Sequence, residues 1–286
     1  MTSIGRVVVR DKVPVKVMGI INISPESFYK NSIKTTAKEI ANTARKMQQY
    51  GANIIDIGAM STAPYLETVI SVEEEIRRMK YAIAAVKKGC NLPISIDTPR
   101  SEVAKEATKY GIDAINDITG LKYDQNMGYV VSKTKIPVIL GASGVKRSSP
   151  PTLGNISGTI NILNESIEIA KRAGIHDKNI LIDPSIGFFR AEGRNSFFTK
   201  IKDVAWYTRD IEVISKLRRL KVFSKPICIS VSRKSFIGRL FQLKTEERLA
   251  PSIASEIISV LNGANLIRTH DVKETVQTLT MLELLY

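Results

Sequence analysis

The sequence predicts an α/β protein built as a (β/α)8 barrel, the TIM-barrel architecture, with a short N-terminal ribbon that closes the barrel floor. Eight short apolar runs rich in Val and Ile alternate with eight helix-like stretches along the 286 residues. Polar residues cluster just past the ends of the apolar runs, which is where enzymes of this fold carry their active sites. The length slightly exceeds the roughly 250 residues typical of this barrel, so we expect one domain, residues 1–286, with modest insertions.

The apolar runs predict parallel strands buried on both faces, because they are too continuous for a strand with one face in solvent. The ribbon is expected at residues 4–10, ahead of the first run. In chain order, the predicted barrel strands cover residues 15–22, 53–57, 93–97, 113–117, 136–141, 179–183, 226–231 and 265–268.

Helices are expected after each strand, at residues 35–50, 71–87, 101–110, 124–134, 157–173, 207–220, 246–262 and 272–284. Glycines follow four of these stretches, as helix C-terminal caps often do, at Gly51, Gly111, Gly174 and Gly263. Insertions are expected at residues 143–158, which are rich in Ser, Pro and Gly, and at residues 191–208, which mix aromatic and charged side chains.

The composition predicts a cytoplasmic protein whose partners are small molecules. No apolar run approaches the roughly 18 residues of a membrane span, and the N-terminus lacks the charged-then-apolar pattern of a secretion signal. Cys90 and Cys228 offer neither metal-ligand spacing nor a disulfide framework. The net charge of +14 reflects 42 basic and 28 acidic residues. Because the lysines lie along helix faces without interleaved aromatics, we expect a solvated surface and no nucleic-acid site.

Polar residues at the predicted strand ends indicate a pocket for a planar heterocycle joined to an anion. Carboxylates and amides such as Asp97 and Asn116 can pair edge-on with amino and ring N–H groups. Lys234 and Arg268 suit an anionic group, since phosphate sites after the last strands recur in this fold. Taken alone, Asp97 has the alternative role of capping the helix at 101–110. The polar strand-end residues are Asp56, Asp97, Thr98, Asn116, Asp117, Asp183, Ser232, Arg233, Lys234, Arg268 and His270.

Several of these segments resemble the signature motifs of dihydropteroate synthases, in the same order along the chain. Residues 17–28 read Val-Met-Gly-Ile-Ile-Asn-Ile-Ser-Pro-Glu-Ser-Phe, where the family pattern runs Met-Gly-Ile-x-Asn-x-Thr-Pro-Asp-Ser-Phe. Residues 232–238, Ser-Arg-Lys-Ser-Phe-Ile-Gly, are a second specific match. Further matches are residues 54–62, 95–98, 115–117, 183–188 and 268–272.

The resemblance implies a transferase of folate-type pterin biosynthesis. Such an enzyme condenses 6-hydroxymethyl-7,8-dihydropterin diphosphate with 4-aminobenzoate, or a related arylamine, and releases diphosphate. It implies Mg²⁺ as the cofactor, with Asn22 as the metal ligand, and catalysis by Asp97, Lys234 and Arg268. The pterin-binding positions of the family match Asp97, Asn116, Asp183 and Lys234. Its diphosphate-binding positions match Asn22, Thr62, Ser235, Arg268, Thr269 and His270.

Departures from the family pattern fall on the side of the second substrate. Ala63 stands where the family has an Arg between Ser-Thr and Pro. After the fifth strand, a Met-His-Met phrase is replaced by a loop of small residues that ends in two cations. Ser185 and Arg190 stand where the family has Gly and Lys. The candidate second-substrate residues are Phe28, Ser61, Lys146, Arg147, Phe188 and Arg190.

Alternative functions remain open on the sequence alone. A methanopterin-type synthase would use an arylamine that bears a ribosyl phosphate, with Lys146 and Arg147 facing that phosphate. A pterin-dependent methyltransferase shares the barrel but does not need the anion site. A non-catalytic homologue would bind pterin without releasing diphosphate. The family usually forms dimers, and the apolar residues within 253–261 and 276–285 exceed what one buried face requires, so a homodimer is expected.

Overall fold

The strands and helices alternate along the chain in a computed structural model that describes residues 2–24, 34–144 and 153–285. The strands are β1 (Thr2–Ile4), β2 (Val7–Val9), β3 (Lys16–Asn22), β4 (Ile54–Gly58), β5 (Ile94–Asp97), β6 (Ala114–Asp117), β7 (Val138–Gly141), β8 (Ile180–Asp183), β9 (Phe189–Arg190), β10 (Thr199–Lys200), β11 (Cys228–Ile229) and β12 (Leu266–Thr269). The helices are α1 (Ala37–Gln49), α2 (Val72–Gly89), α3 (Ser101–Thr108), α4 (Met127–Thr134), α5 (Ile156–Arg172), α6 (Trp206–Ser215), α7 (Ser235–Phe241), α8 (Leu249–Leu261) and α9 (Val272–Leu285).

Eight of the strands form one parallel sheet, in the order β11-β12-β3-β4-β5-β6-β7-β8. A single bridge between Ile182 and Ile227 joins the last strand of this order to the segment that leads into the first. The sheet is therefore a nearly closed barrel, and the predicted (β/α)8 fold class is confirmed. In the described parts of the chain, the helices around it lack the combination of length and apolar character that crossing a membrane requires.

Some element boundaries differ from the predicted ones, for identifiable reasons. The strand predicted at 226–231 is reduced to β11, which begins after Pro226, a residue without an N–H to donate. The helix predicted from 124 begins only at Met127. The Asp124 carboxylate accepts instead from the backbone N–H groups of Ser101 and Asn126, at 2.7 and 2.9 Å.

The last third of the chain contains further 3-10 and helical turns that periodicity does not predict. The helix predicted at 207–220 ends at Ser215 and is followed by a 3-10 segment, Leu217–Phe223. Another 3-10 turn, Thr245–Glu247, precedes α8, which starts three residues later than expected. Helix α7 begins a short turn after β11 and lies in a stretch for which the sequence predicts no helix.

Two of the predicted capping glycines show why glycine is needed at these positions. Gly51 and Gly263 have φ values of +95° and +96°, a region that side chains other than glycine rarely adopt. Each reverses the chain between a helix and the next barrel strand.

The N-terminal ribbon lies across the barrel floor, as predicted. β1 and β2 pair in antiparallel register, with Ile4 opposite Val7. Ile4 and Val9 are fully buried. They pack against inward-facing apolar side chains of the barrel, namely Met18, Ile54, Ala114, Ile139, Leu181, Cys228 and Leu266. This apolar layer seals the N-terminal end of the barrel.

A polar layer lies above the floor, toward the C-terminal ends of the strands. Side chains alternate between the two faces of a strand, so a residue two positions after a floor residue also points into the barrel. Asp56 follows Ile54 in this way, and Arg268 follows Leu266. By the same rule Asn116 and Asp183 face inward. The barrel thus places polar strand-end residues around one opening.

The insertion predicted at 191–208 covers the loop after β4. β9 and β10 form a short parallel pair in which Phe189 lies opposite Thr199. Between these strands, Asn195 Nδ2 donates to the carbonyl oxygens of Ala63 and Leu66, at 2.7 and 3.1 Å. The other predicted insertion, 143–158, is described only in part, and α5 already begins within it.

Candidate active site

Two adjoining cavities open at the C-terminal ends of the barrel strands. The larger has a volume of about 630 Å³ and the smaller about 290 Å³. Predicted site residues on the larger cavity are Asn22, Ser61, Thr62, Asp97, Ser235 and His270. Asn116 and Asp183 line the smaller cavity. Both cavities share Phe188, Ser230, Lys234 and Arg268. The fold therefore gathers most of the residues predicted for the site in one mouth.

Arg268 connects two carboxylates at the base of this mouth. Its Nε donates to Asp56 Oδ2 and its Nη2 donates to Asp97 Oδ2, both at 2.6 Å. Asn116 Nδ2 also donates to Asp56 Oδ2, at 3.3 Å. The second oxygens, Asp56 Oδ1 and Asp97 Oδ1, are buried and find no hydrogen-bond donor among the described residues. Because a buried acceptor without a donor is costly, Asp97 Oδ1, which belongs to a residue on the wall of the larger cavity, marks a position where a ligand N–H group would bind.

The capping alternative for Asp97 is wrong. The backbone N–H of Ser101, the first residue of α3, bonds to Asp124. The side chain of Asp97 points instead into the mouth, toward Arg268.

Burial moves the pKa values of an acid and a base of the site toward neutral pH. Burial raises the pKa of Asp97 to about 7, against the opposing charge of Arg268, and Asp56 adds to the increase. Burial and the charge of Arg268 lower the pKa of Lys234 to about 8. Burial likewise raises the pKa of Asp183. The site can therefore change its charge over a narrow pH range.

The loop after β8 brings Phe188 against Lys234. The Lys234 ammonium lies 4.5 Å from the centroid of the Phe188 ring. A Cβ atom at Gly187 would lie only 3.1 Å from Lys234 Cδ, and Gly187 has a φ of +87°. The backbone N–H of Ser185 donates to Asp183 Oδ1 at 2.6 Å. The loop thus holds an aromatic ring beside the lysine and a carboxylate on the wall of the smaller cavity.

Two neutral polar side chains, Asn22 and His270, lie on the wall of the larger cavity. Asn22 Nδ2 lies 3.5 Å from His270 Nε2, and His270 Nδ1 lies 3.1 Å from Ser232 Oγ. Burial, together with the charges of Arg268 and Lys234, lowers the pKa of His270 well below its usual value. The imidazole is therefore neutral at physiological pH and can act as a hydrogen-bonding group.

Arg190 lies behind Ser235 rather than on the cavity wall. Its Nη2 donates to Ser235 Oγ at 2.6 Å, and its Nη1 donates to the carbonyl oxygen of Phe189 at 2.8 Å. The guanidinium carbon lies 3.6 Å from the centroid of the Trp206 ring. Arg190 is 6% exposed, so it reaches the mouth through Ser235.

The side chains of Thr269 and Arg233 point away from the mouth. Thr269 is fully buried on the helix-facing side of β12, because it alternates with Arg268, and its hydroxyl contacts Thr275 Oγ1 at 3.2 Å. Its side chain therefore leaves the set predicted to bind diphosphate. Arg233 holds Asp271 with two hydrogen bonds of 2.9 and 2.7 Å, so it shapes the turn that precedes α7.

Three second-substrate candidates, Phe28, Lys146 and Arg147, lie outside the described residues. Sequence reasoning missed roles for other residues that the structure brings to the site. Asp56 falls at a strand end, but only the structure shows its pairing with Arg268. Ser230 lines both cavities, which the alternation from buried Cys228 could have indicated. Trp206 gave no signal, because an aromatic residue in an insertion has no fixed partner.

Comparisons with known proteins show the family of this chain. Residues 18–270 match the model of the pterin-binding enzyme family. The dihydropteroate synthase of Clostridium beijerinckii is 35% identical over 274 residues, covering 94% of this chain and 93% of the relative.

Solved structures give the same result. A Xanthomonas albilineans dihydropteroate synthase with 4-aminobenzoic acid is 31% identical, with a TM-score of 0.81 and coverage of 95% of this chain and 93% of that one. The same bacterium's enzyme in complex with 7,8-dihydropteroate is 29% identical, with a TM-score of 0.80 and coverage of 98% and 96%. The chain therefore belongs to the pterin-binding enzyme family and, within it, to the dihydropteroate synthases.

Proposed function

We propose that this enzyme joins 6-hydroxymethyl-7,8-dihydropterin diphosphate to 4-aminobenzoate and releases diphosphate. The observation that carries the proposal is the buried acceptor Asp97 Oδ1 on the cavity wall, which finds no donor among the described residues. A pterin ring carries the N–H and amino groups that would satisfy it. The relatives solved with 4-aminobenzoic acid and with 7,8-dihydropteroate support both halves of the reaction.

In this proposal the pterin is held by Asp97, Asn116, Asp183 and Lys234. The carboxylates accept from the amino and ring N–H groups, because ionised acids are acceptors only. Lys234 donates to the pterin carbonyl and a ring nitrogen. The Lys234 ammonium lies beside the Phe188 ring, and Lys234 lines both cavities.

The diphosphate would be bound by Asn22, Thr62, Ser235 and His270, which line the larger cavity. These neutral groups donate hydrogen bonds to the phosphate oxygens. Arg268 donates to Asp97 at 2.6 Å. Its guanidinium can bind the diphosphate only if this hydrogen bond breaks or if the guanidinium contacts both groups at once. Pterin N–H groups that bind Asp97 would make that exchange less costly.

The residues at the mouth fit a magnesium ion held mainly by substrate. In the described ranges no three His, Cys, Asp or Glu side chains are grouped to hold a metal, but Asn22 offers an amide oxygen on the cavity wall. Mg²⁺ is commonly bound by one or two protein oxygens together with substrate phosphates and water. When bound there, it would neutralise charge that develops on the departing diphosphate.

The reaction breaks the bond between the pterin methylene carbon and the diphosphate oxygen, and the electron pair leaves with diphosphate. Asp97, in its ionised form, stabilises the positive charge left on the pterin. The lone pair of the arylamine nitrogen then forms the new C–N bond, and the amine loses a proton to water or to the departing diphosphate. A neutral arylamine is already nucleophilic, so this scheme needs no general base.

The arylamine would lie beside Phe188 and Ser61, which line the larger cavity. Ala63 lines it too and provides no charge. Arg190 supplies a cation behind Ser235 that can attract the carboxylate of 4-aminobenzoate. A larger arylamine that carries a ribosyl phosphate is the second candidate, with Lys146 and Arg147 facing its phosphate.

We also propose a cytoplasmic homodimer. The last helices expose a group of large apolar side chains, which are typical of interfaces: Ile258, Met281, Leu284 and Leu285. Both cysteines are free thiols, which suits the reducing cytoplasm. Sedimentation of the wild type and of Leu284→Asp tests the proposed dimer, because a charge at such an interface should yield monomers.

The proposed activity is tested by magnesium-dependent release of diphosphate from the dihydropterin diphosphate. 4-Aminobenzoate and its ribosyl phosphate derivative are supplied in parallel, and products are identified by mass. A dihydropteroate product supports the proposal. Turnover of the ribosylated amine alone would reassign the second substrate. Pterin binding without release with either amine would leave a non-catalytic homologue.

A further inference from the structure

A buried ion pair behind the loop after β8 has no part in the contacts described above. Arg209 and Asp210 are neighbours on α6, and both side chains are fully buried. Arg209 Nη1 lies 3.1 Å from Asp210 Oδ1. Two charges taken out of water are costly unless further hydrogen bonds satisfy them. The groups that satisfy this pair therefore indicate what it does.

Arg209 binds the backbone of the loop after β8. Its Nη2 donates to the carbonyl oxygen of Pro184 at 2.7 Å, and its Nη1 donates to that of Ser185 at 3.4 Å. Nη2 also donates to Thr159 Oγ1, on α5, at 2.8 Å. The guanidinium carbon lies 3.5 Å from the centroid of the Phe189 ring. One side chain thus fixes the loop to two helices.

Asp210 holds the same loop through a different backbone group. The N–H of Gly187 donates to Asp210 Oδ2 at 3.0 Å. Ser185 has a φ of +54°, a conformation that costs free energy for a residue with a side chain. Such a loop keeps its shape only when its surroundings hold it, and the ion pair provides contacts on both sides of Ser185.

The two ends of the loop depend on the pair to different degrees. Asp183 is the last residue of β8, so the barrel holds its backbone, and the described loop contact of its carboxylate is the 2.6 Å hydrogen bond from the Ser185 N–H. Phe188 lies five residues further on, directly after Gly187, and contacts Lys234. A loss of the pair should therefore displace the Phe188 ring more than the Asp183 carboxylate.

We propose that Arg209 and Asp210 are positioning residues that set Phe188 for the arylamine while Asp183 keeps its place against the pterin. This inference rests on the proposed function and identifies which buried groups support its second-substrate side. Asp210 has a further effect on Lys234. Its negative charge, with those of Asp183 and Asp97, favours the protonated lysine, whereas Arg268 opposes it.

Two substitutions separate positioning from charge. Asp210→Asn keeps an acceptor for the Gly187 N–H but removes the charge, and Asp210→Ala removes both. Val213→Ala is the matched control, because Val213 is fully buried on the same helix and has no polar contact with the loop. The measurements are KM and kcat for 4-aminobenzoate, the pH profile, the melting temperature, and calorimetric binding of pterin diphosphate and of pteroic acid.

We expect Asp210→Ala to raise KM for 4-aminobenzoate on the order of ten-fold or more, as small displacements in a site can. Its affinity for pterin diphosphate should fall much less. Asp210→Asn should keep KM closer to wild type. In both variants the alkaline limb of the pH profile should move to lower pH, because Lys234 loses a stabilising negative charge.

A purely structural pair would give a different result. Asp210→Ala would then resemble Val213→Ala, with a lower melting temperature but unchanged KM and pH limbs, and the proposal would be wrong. Pteroic acid contains both the pterin and the aminobenzoate halves, so its binding tests the inference without turnover. If the wild type fails to turn over 4-aminobenzoate, the proposed function is wrong. A selective loss of pteroic acid binding in Asp210→Ala would still support the positioning role of Arg209 and Asp210.

Discussion

At the scale of single residues, the site depends on two buried groups whose ordinary pKa values lie far apart. Burial raises the pKa of Asp97 and lowers that of Lys234, so both approach neutrality. A carboxylate is ionised above its pKa, and an ammonium keeps its proton below its pKa. Ionised Asp97 and protonated Lys234 therefore coexist mainly between about pH 7 and about pH 8.

The pH dependence of kcat/KM follows from these two groups. We expect activity to fall below about pH 7, as Asp97 gains a proton, and above about pH 8, as Lys234 loses one. Asp97→Asn should remove the acidic limb and lower kcat, while its melting temperature falls little, since Arg268 keeps its hydrogen bond to Asp56 and burial already disfavours ionised Asp97. An acidic limb that persists in Asp97→Asn would assign that limb to another group.

Arg190 provides a second prediction at this scale. Arg190→Lys keeps the charge but loses the planar group that stacks on Trp206 and the short hydrogen bond to Ser235. We expect KM for 4-aminobenzoate to rise several-fold in Arg190→Lys and further in Arg190→Ala, with pterin binding nearly unchanged. Steady-state kinetics with both substrates varied checks this. Equal effects on the two substrates would contradict a role on the arylamine side.

At the scale of elements, α2 fixes the end of β5. Glu75 is fully buried and its two oxygens accept from Thr98 Oγ1 at 2.6 Å and from Arg100 Nη1 at 2.9 Å. Thr98 directly follows Asp97, and Arg100 precedes α3. The helix therefore holds the turn on which the orientation of Asp97 depends.

Glu75→Gln should show how much this turn contributes. Glutamine still accepts from Thr98, but Arg100 loses its counter-charge, and breaking a buried pair in this way typically costs about 3–5 kcal/mol of unfolding free energy. We also expect a lower kcat. Asp124→Asn is the control, because Asp124 caps the same helix α3 without contacting Glu75. Urea denaturation and kcat are compared, and a full kcat in stably folded Glu75→Gln would refute the link to Asp97.

At the scale of the whole molecule, an apolar floor carries a polar site. The floor includes both strands of the N-terminal ribbon, and on β4, β6, β8 and β12 a polar residue follows the floor residue by two positions. We therefore expect substitutions in the floor to change the stability of the protein without changing its catalytic activity.

Leu181→Ala tests this separation. Leu181 is fully buried in the floor, and a cavity at such a site typically costs about 2–5 kcal/mol. We expect a lower melting temperature with KM and kcat close to wild type at a temperature where the variant is folded. Leu181→Met, which conserves volume, should cost less. A large change in KM in Leu181→Ala would show that floor and site are coupled.

Much of this arrangement could be predicted from the sequence. The apolar runs predicted the barrel strands, and the polar residues after them predicted Asp97, Asn116, Asp183 and Lys234 around one mouth. Sequence reasoning did not anticipate that the Thr269 side chain lies on the helix-facing side of β12, or that Arg233 binds Asp271. Arg190 is on the expected side of the site but behind Ser235.

The sequence by itself determined the fold class and the chemical types of the site residues, because hydrophobic periodicity and strand-end composition are local properties. Which groups share a partner depends on how distant segments pack. Arg268 joins Asp56 and Asp97 across 212 and 171 positions of the chain, and Arg209 with Asp210 holds a loop more than twenty residues away. Such pairings depend on barrel closure and on the exclusion of water, and these arise only when distant segments pack together.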